Sequence, residues 1–371
     1  MAATYLVTGG AGFIGRHLCS ELLRQGHRVR VLDNLIEQVH GGAALPAEIA
    51  SDVEFVSGDV RDADALARAL AGVDGVFHLA AEVGVGQSMY EIDRYVSAND
   101  LGTAVLLQQL IRAPVDRIVV ASSMSVYGEG LYRTAGGRVA EQVRRDGESV
   151  KAGRWDPVGP AGEALTPVAT PEGKRPDLAS IYALTKYAQE QQTLIVGGAY
   201  GMGAVALRLF NVFGPGQALS NPYTGVLAIF ASRLLNDERP LVFEDGRQQR
   251  DFVHVKDVAR AFRLAMETPE ANGATVNIGS GRRYAILEVG RRLADAMGKP
   301  RLDPEILNKA RAGDIRHCFA DIGLAEKLLG FRPRHALEDS LGELADWVAR
   351  CKAVDRVAEA RRELETRGLV V

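Results

Sequence analysis

The chain has 371 residues, of which 25% are charged, and a formal net charge of −3. Such balanced charge argues against a partner that is nucleic acid or an acidic membrane. Three cysteines without metal-like spacing argue against a disulfide framework or a bound metal, and no apolar run approaches the roughly 20 residues of a membrane span. The chain enters its first predicted strand at once, without room for a signal peptide. We expect a cytoplasmic protein with one large or two joined domains.

A glycine-rich turn follows the first predicted strand. The apolar run from Tyr5 to Val7 leads into Thr-Gly-Gly-Ala-Gly-Phe-Ile-Gly at 8–15, and a helix is predicted from Arg16 to Gln25. Glycine lets the backbone approach a pyrophosphate, whose charge the N-terminus of the next helix stabilises. The turn therefore predicts a dinucleotide site.

The second predicted strand runs from His27 to Leu32 and ends in Asp33 and Asn34. An acid about 20 residues after such a loop accepts hydrogen bonds from the adenosine ribose and repels a 2′-phosphate. The position of Asp33 therefore predicts NAD rather than NADP.

Two further strands bring candidate cofactor contacts to the same edge. The strand Val53 to Val56 precedes Asp59 and Val60, which are placed to meet adenine. The strand Gly75 to Leu79 precedes Ala80 and Ala81, whose small side chains let a cofactor lie against the backbone. His78, at the end of that strand, is predicted to be a structural group rather than a catalytic one.

The segment Ala98 to Arg112 is apolar on nearly all sides and predicts a helix that packs against other helices or a second subunit. The strand Arg117 to Ala121 then delivers Ser122 and Ser123 to the ligand edge. The repeated strand–helix–strand pattern predicts an α/β fold with a doubly wound parallel sheet of the Rossmann type.

Regular periodicity fails in an insertion at about 129–178, which is rich in Gly, Pro, Arg and Glu. A loop of this length is functional or disordered. Two interpretations stay open: an excursion packed on the surface by Trp155, or a lid over the substrate.

A helix that begins near Ser180 carries Tyr182 and Lys186, which lie one turn apart on the same face. An ammonium group in this position stabilises a phenolate, so we expect a lowered pKa for Tyr182 and a role as general base. Ser123 is predicted to orient the reacting oxygen. No histidine–acid pair accompanies it, which argues against a Ser-His-Asp triad.

The remainder predicts a smaller α/β domain for the substrate. Arg250 and Arg311 suit a phosphate clamp, because a guanidinium group can donate two parallel hydrogen bonds. The charges of Ala353 to Gly368 alternate at helical spacing and predict a solvated helix. We assign residues 1–210 to the Rossmann domain with its insertion, and 211–371 mainly to the substrate domain, with some strands and helices returning to the first.

These segments together resemble the extended short-chain dehydrogenase/reductase family, in its NAD-dependent nucleotide-sugar epimerase and dehydratase branch. The similarity runs from Thr8 to about Phe331. The motifs that carry it are the glycine loop at 8–15, Asp33-Asn34, Asp59-Val60, His78-Leu79-Ala80-Ala81, Asn99, Ser122-Ser123, Tyr182 with Lys186, Arg208 to Pro215, Arg250 to His254, and Asn277-Ile278-Gly279.

The resemblance implies an enzyme whose catalytic residues are Ser123, Tyr182 and Lys186. The residues expected to bind NAD are Gly9, Gly12, Phe13, Ile14, Gly15, Asp33, Asn34, Asp59, Val60, Leu79, Ala80, Ala81, Asn99 and Lys186. The residues expected to bind a nucleotide sugar are Ser123, Ser125, Asn211, Asn221, Tyr223, Phe243, Arg250, Arg311 and Asp314. The resemblance also implies a homodimer joined by a four-helix bundle.

The branch members that dehydrate or decarboxylate sugars are similar to one another in having an acid just after the strand-end serine or threonine. Here Met124 and Ser125 follow Ser123, which disfavours both reactions. The expected reaction is therefore epimerisation at C4 through a transient 4-keto sugar, with NAD retained.

The insertion makes the chain most similar to the dTDP-L-rhamnose 4-epimerase group. Some members of that group have paired cysteines near the position of Trp155 to Gly162, where this chain has none, so no metal is expected. The expected substrate is a dTDP-6-deoxyhexose such as dTDP-L-rhamnose. A UDP-sugar 4-epimerase, a nucleotide-sugar 4,6-dehydratase and a 4-ketoreductase remain alternatives.

Overall fold

The structure is a computed structural model that describes residues 2–42 and 44–370. Its strands are β1 Thr4–Thr8, β2 Arg28–Asp33, β3 Glu54–Ser57, β4 Gly75–His78, β5 Arg117–Ser123, β6 Leu131–Thr134, β7 Val139–Ala140, β8 Leu165–Val168, β9 Gly203–Leu209, β10 Asn211–Phe213, β11 Leu241–Val242, β12 Gln249–Arg250, β13 Phe252–His254, β14 Thr275–Ile278, β15 Tyr284–Ala285, β16 Glu305–Ile306 and β17 His317–Cys318. Its α-helices are α1 Phe13–Arg24, α2 Glu37–His40, α3 Ala63–Leu70, α4 Val85–Ser88, α5 Ile92–Tyr95, α6 Gly102–Arg112, α7 Gly147–Lys151, α8 Ile181–Tyr200, α9 Val226–Leu235, α10 Val255–Glu267, α11 Ile286–Ala296, α12 Gly323–Leu329, α13 Leu337–Ala349 and α14 Val357–Thr366. A π-helical segment, Val96–Leu101, joins α5 to α6, and short 3-10 helices span Met124–Tyr127 and Pro269–Ala271.

Seven parallel strands form the central sheet in the order β14-β9-β5-β4-β1-β2-β3. The registers place Val7 of β1 beside Val31 of β2 on one side and Phe77 of β4 on the other. The strand order reverses between β1 and β4, as in a doubly wound fold, and a ligand crevice forms at such a point. The predicted fold class is confirmed.

Both faces of the sheet are buried under helices. Successive strand residues point to opposite faces, so Leu6 and Val7 enter different cores. On one face α1, α10 and α12 pack around residues such as Leu18 and Phe262. On the other, α3, α6 and α8 pack around residues such as Leu106. This two-sided burial explains the nearly continuous apolar strands.

The second half of the chain builds a smaller helical core and also completes the central sheet. In that core α9, α11 and α13 pack together around Phe230, Leu293 and Leu341. In contrast, β14, α10 and α12 return to the large sheet. The division near residue 210 stays our proposal; β9 ends in the large sheet and β10 begins a small one with β13.

The insertion has regular structure, which the sequence analysis did not predict. The strands β6, β7 and β8 form an antiparallel sheet in the order β7-β6-β8, and α7 follows β7 in the chain. These strands have two to four residues, so they are too short to show a hydrophobic period.

A buried network of charges fixes the insertion to the second domain. Arg145 pairs with Glu129 at 3.2 Å and with Glu244. Arg316 pairs with Glu244 at 2.9 Å and with Asp156 at 2.7 Å. The side chains of Arg316 and Glu244 are each 1% exposed, so water screens this part of the network little. Buried charges require such pairing, and removal of one partner is costly.

The prediction of a solvated helix for 353–368 is wrong for one face of α14. Ala360 and Leu364 are 7% and 5% exposed. Their spacing of four places them on one face of the helix, where Leu364 packs on Gly86. The charged positions between them obscured this face in the sequence.

Within residues 2–42 and 44–370, no helix combines the length and the apolarity needed to cross a membrane.

We predict that Arg145→Met destabilises the protein by about 3–5 kcal/mol, because it leaves buried Glu129 and Glu244 carboxylates without this cation. The matched control is Arg144→Met, since Arg144 is 80% exposed and pairs with Asp177 at the surface. Thermal unfolding of both variants measures the difference. Equal melting temperatures for the two variants would contradict a stabilising network.

Candidate active site

One large cavity, of about 740 Å³, lies at the carboxyl edge of the central sheet between the two halves of the chain. Its volume falls within the usual range for small-molecule sites. The predicted cofactor residues that line it are Gly9, Gly12, Phe13, Ile14, Gly15, Asp33, Asn34, Asp59, Val60, Leu79, Ala80, Ala81 and Lys186. All predicted substrate residues line it too: Ser123, Ser125, Asn211, Asn221, Tyr223, Phe243, Arg250, Arg311 and Asp314. The catalytic candidate Tyr182 is also in the wall.

The glycine loop is packed too closely for side chains at two positions. A Cβ atom on Gly9 would lie 2.8 Å from the Ala80 backbone nitrogen, and Gly9 has a φ of +69°. A Cβ atom on Gly15 would lie 2.4 Å from the Gly9 carbonyl oxygen. Helix α1 begins after Gly12 without a side-chain cap, so the first N–H groups of the helix are available to an anion.

Asp33 is fixed at the end of β2 by hydrogen bonds to its carboxylate. The backbone N–H of Ala11 donates to one oxygen at 3.0 Å, and that of Leu35 donates to the other at 2.9 Å. His40 lies 3.4 Å from the same carboxylate. Asp33 thus holds the glycine loop as well as standing where a ribose would bind.

Asn34 and Asp59 line the cavity together with Asp33. The Asn34 amide donates to Asp59 at 2.8 Å, and Arg61 pairs with the same carboxylate at 2.7 Å. The hydrogen bond from Arg61 is the largest cause that lowers the pKa of Asp59, to about 2. Asp59 is therefore ionised at neutral pH.

Two serines at the end of β5 have different partners. The Ser122 hydroxyl donates to Glu190 at 2.7 Å, and Arg208 binds the same carboxylate, so this group is part of the buried structure. The Ser123 hydroxyl accepts from the Ser125 hydroxyl at 2.9 Å and lines the cavity. Both serines line the cavity, but the Ser122 hydroxyl is bound to the Glu190–Arg208 pair, so Ser123 is the better candidate to meet a ligand.

Ser180 caps α8 by accepting from the backbone N–H of Ala183 at 3.1 Å, as predicted. Tyr182, in the first turn, is half-buried and lines the cavity. Burial raises the pKa of Tyr182, and the nearby Ser123 hydroxyl offsets only part of the rise. The expected lowering of this pKa by Lys186 is therefore wrong for the protein alone.

Lys186 is 3% exposed, and its ammonium group donates to the side-chain oxygen of Gln189 at 2.7 Å. Burial lowers the pKa of Lys186 to about 7, and the Glu190 carboxylate opposes the shift. The lysine ammonium group is thus held in place by Gln189.

His78 is a structural group, as predicted. Its two ring nitrogens lie 2.8 Å from the hydroxyls of Thr8 and Thr103. Burial lowers the pKa of His78 to about 3, with a smaller contribution from the positive charge of Lys186. The imidazole is therefore neutral at physiological pH.

Asn99 does not line the cavity, unlike the other predicted cofactor residues. It is fully buried, accepts from the backbone N–H of Glu82 at 2.7 Å and donates to Thr185 at 2.9 Å. Asn99 therefore positions the loop after β4 and the helix that carries Lys186, and its predicted contact with the cofactor stays a prediction.

The predicted substrate arginines lie at the other end of the cavity. Arg311 stacks over the Phe243 ring, with 4.5 Å between guanidinium carbon and ring centre, and pairs with Asp314 at 2.9 Å. Arg250 donates to the backbone carbonyls of Ile315 and Arg316. Two cations thus lie in the wall of one cavity end, which suits an anionic ligand.

Several cavity-lining amides have unused hydrogen-bonding capacity. In the part of the chain that the structure describes, the side-chain oxygens of Asn211, Gln217 and Gln248 are buried and have no partner. Unsatisfied buried acceptors are costly, so these groups are suited to donors on a ligand.

Some cavity-lining residues were not predicted from the sequence. Glu82, directly after Ala81, pairs with Arg94 at 2.8 Å, and both line the cavity. The position of Glu82 after a strand end was a usable signal, whereas Arg94 could be found only through its partner. The insertion at 129–178 contributes no described residue to the wall, so it does not act as a lid in this structure.

The cavity fits NAD at the end formed by the first sheet half. The close-packed glycines, the helix N-terminus and the Asp33 carboxylate match what a pyrophosphate and an adenosine ribose require. Among residues 2–42 and 44–370, no three His, Cys, Asp or Glu side chains are grouped to hold a metal ion.

Comparisons with known proteins show the family to which the chain belongs. The model of the NAD dependent epimerase/dehydratase family matches residues 5–144 and 158–279. A dTDP-L-rhamnose 4-epimerase of Burkholderia thailandensis is 38% identical over 93% of this chain and 94% of its own length. A UDP-glucose 4-epimerase of Halalkalibacterium halodurans is 31% identical over 92% and 94%. The solved UDP-glucose 4-epimerase of Thermus thermophilus, a complex with NAD, is 29% identical with a TM-score of 0.74 and covers 94% of this chain and 100% of its own.

We predict that His78 makes the protein less stable as pH falls from about 6.5 to about 3. Between these values the unfolded state binds a proton that the folded state does not, because the folded pKa is about 3. The expected slope is about 1.4 kcal/mol per pH unit for this group. Melting temperatures of the wild type and His78→Asn across this range measure it. The melting temperature of His78→Asn should fall less steeply with falling pH than that of the wild type. Parallel curves of melting temperature against pH would contradict the low pKa of His78.

Proposed function

The chain belongs to the NAD dependent epimerase/dehydratase family and is an NAD-dependent nucleotide-sugar 4-epimerase, and we propose that its substrate is a dTDP-6-deoxyhexose such as dTDP-L-rhamnose. The observation that carries the substrate proposal is the similarity to the Burkholderia thailandensis enzyme over nearly the whole of both chains. The cavity supports it with a basic end for the diphosphate and with apolar side chains from α14.

In this proposal Tyr182 is the general base that takes the proton from the C4 hydroxyl and later returns it. Ser123 orients that hydroxyl, since both side chains line the same cavity. Lys186, on the same face of α8, holds the nicotinamide ribose and supplies positive charge to the tyrosine. NAD, which the glycine loop, Asp33 and Lys186 would hold, would supply the hydride acceptor for C4 and the same hydride for its return to the opposite face.

The end of the cavity that contains Arg250 and Arg311 would hold the nucleoside diphosphate. Arg250 and Arg311 would bind its phosphates, with Phe243 and Asp314 keeping Arg311 in place. Asn211 supplies an unpaired acceptor to the same ligand. Asn221 and Tyr223 border the pocket, where the Tyr223 hydroxyl meets that of Tyr90 at 2.5 Å.

The residues after Ser123 favour epimerisation over elimination of water. The cavity is lined there by Met124 and Ser125, neither of which is an acid. Glu82 does line the cavity, but its carboxylate is paired with Arg94. The second candidate is a UDP-sugar 4-epimerase, which the Halalkalibacterium halodurans relative favours.

We also propose a homodimer formed through two helical segments. The apolar side chains of Ile92, Val96 and Leu101 are exposed on the segment that leads into α6, and those of Leu184 and Ile195 are exposed on α8. Exposed apolar groups on neighbouring helices indicate a covered surface.

We predict that the purified protein converts dTDP-L-rhamnose into its C4 epimer without added reductant, because each hydride removed is returned. NMR of the sugar and absorbance at the NADH wavelength are measured together. A second panel uses UDP-glucose under the same conditions. Consumption of one NADH per turnover would make the enzyme a reductase and contradict the proposal.

We predict that Tyr182→Phe lowers kcat by roughly 10²–10⁴-fold, the usual contribution of a general base, while NAD binding is unchanged. The matched control is Tyr200→Phe, because Tyr200 lies on the same helix and is 57% exposed. Turnover and bound-cofactor content are measured for both. A Tyr182→Phe enzyme with near wild-type kcat would remove the tyrosine from the mechanism.

A further inference from the structure

The substrate cavity has one wall that neither the motifs nor the insertion account for. It is formed by α14 and the residues that follow it. Val357, Ala360, Arg361 and Leu364 of the helix line the cavity, and so does Leu369 beyond it. Most of these side chains are apolar, and they face a cavity that also has Arg250 and Arg311 in its wall.

The α14 segment, residues 355–370, is held at both ends. Asp355 pairs with Arg233 at 2.8 Å, where both side chains are largely buried. The carbonyl oxygen of Leu369 accepts from the backbone N–H of Ala312 at 2.8 Å. The segment is therefore attached directly beside Arg311, at the cationic end of the cavity.

Side-chain contacts hold the middle of the segment. Arg367 stacks over the Tyr90 ring at 4.3 Å, and Lys309 pairs with Glu365 at 3.0 Å. Arg361 also donates to Glu365, so its charge has a partner within the segment. The charged face of α14 thus anchors the helix while the apolar face is turned to the cavity.

The apolar face reaches towards the turn that supports Tyr182. The Leu364 methyl groups lie 3.4 and 3.5 Å from the position of a Cβ on Gly86, in α4. Two residues later, the Ser88 hydroxyl accepts from the backbone N–H of Tyr182 at 3.0 Å. The α14 segment therefore spans the distance between the candidate diphosphate grip and the candidate catalytic end, which is where the sugar must lie.

We propose that the α14 segment is the sugar-facing wall of the substrate pocket, and that Ala360 and Leu364 determine its specificity for a sugar with a methyl group at C5. This inference rests on the proposed function. Ala360 sets the depth of the space, because any larger side chain there would project into the cavity. Leu364 offers an apolar surface, against which a methyl group is buried favourably and a hydroxymethyl group leaves its hydroxyl without a partner.

The test compares one substitution at two positions of the same helix. Ala360→Leu fills the proposed space, whereas Ala358→Leu adds the same side chain on the exposed face. Steady-state kinetics with dTDP-L-rhamnose should show a rise in KM of at least about tenfold for Ala360→Leu and no change for Ala358→Leu. Equal KM values for the two variants would overturn the proposal that α14 forms the sugar-facing wall. Melting temperature and NAD content establish that both variants are folded.

The second test concerns the methyl group. dTDP-L-mannose differs from dTDP-L-rhamnose only in having a hydroxymethyl group in place of the methyl. The wild type should prefer dTDP-L-rhamnose in kcat/KM, and Leu364→Ala should reduce that preference by about tenfold. An unchanged preference would overturn the role of Leu364.

Measurements on the wild-type protein distinguish failure of the proposed substrate from failure of the proposed wall. A wild-type protein that leaves dTDP-L-rhamnose unchanged contradicts the substrate assignment and, with it, the methyl specificity. The wall is then tested by titrating UDP-glucose into Ala360→Leu and Ala358→Leu in a calorimeter. Weaker binding to Ala360→Leu alone supports the wall, and equal affinities overturn it.

Discussion

The site depends on how the protein buries two basic side chains close together. Lys186 and His78 are 3% and 1% exposed, and burial lowers the pKa of both. Gln189 connects them, because its oxygen accepts from Lys186 and its amide nitrogen lies 3.2 Å from the imidazole. The imidazole of His78 is neutral at physiological pH, so of the two side chains only the lysine can carry a charge there. The end of β4 and the helices α6 and α8 are thereby fixed relative to one another.

Much of this site was predictable, for a geometric reason. In a parallel sheet the carboxyl ends of the strands meet at one edge, so Asp33, Asp59 and Ser123 had to converge once the strands were identified. Helical spacing placed Tyr182 and Lys186 on one face. The pKa of Tyr182 was not predictable, because it depends on burial, which is not a property of local sequence.

The insertion and α14 also have contacts that could not be predicted, because the residues involved are far apart in the chain. Arg145 and Glu244 are 99 residues apart in the chain, and nothing in either neighbourhood identifies the other as its partner. For α14, the pattern of charges was correctly read as a helix, but the binding surface for its apolar face is formed by Gly86 and other distant residues. Such pairings arise only when the whole chain is folded.

The buried charges beneath the insertion also bear on how these enzymes diverge and how they can be recombined. The insertion supplies Glu129, Arg145 and Asp156, whereas the second domain supplies Glu244 and Arg316. In a chimera that received the insertion alone, the buried Arg145 would keep Glu129 but lose Glu244, and Asp156 would lose Arg316. The insertion is therefore not a portable module. It can be exchanged between relatives only together with the segments around residues 244 and 316, and those segments adjoin the wall of the substrate pocket.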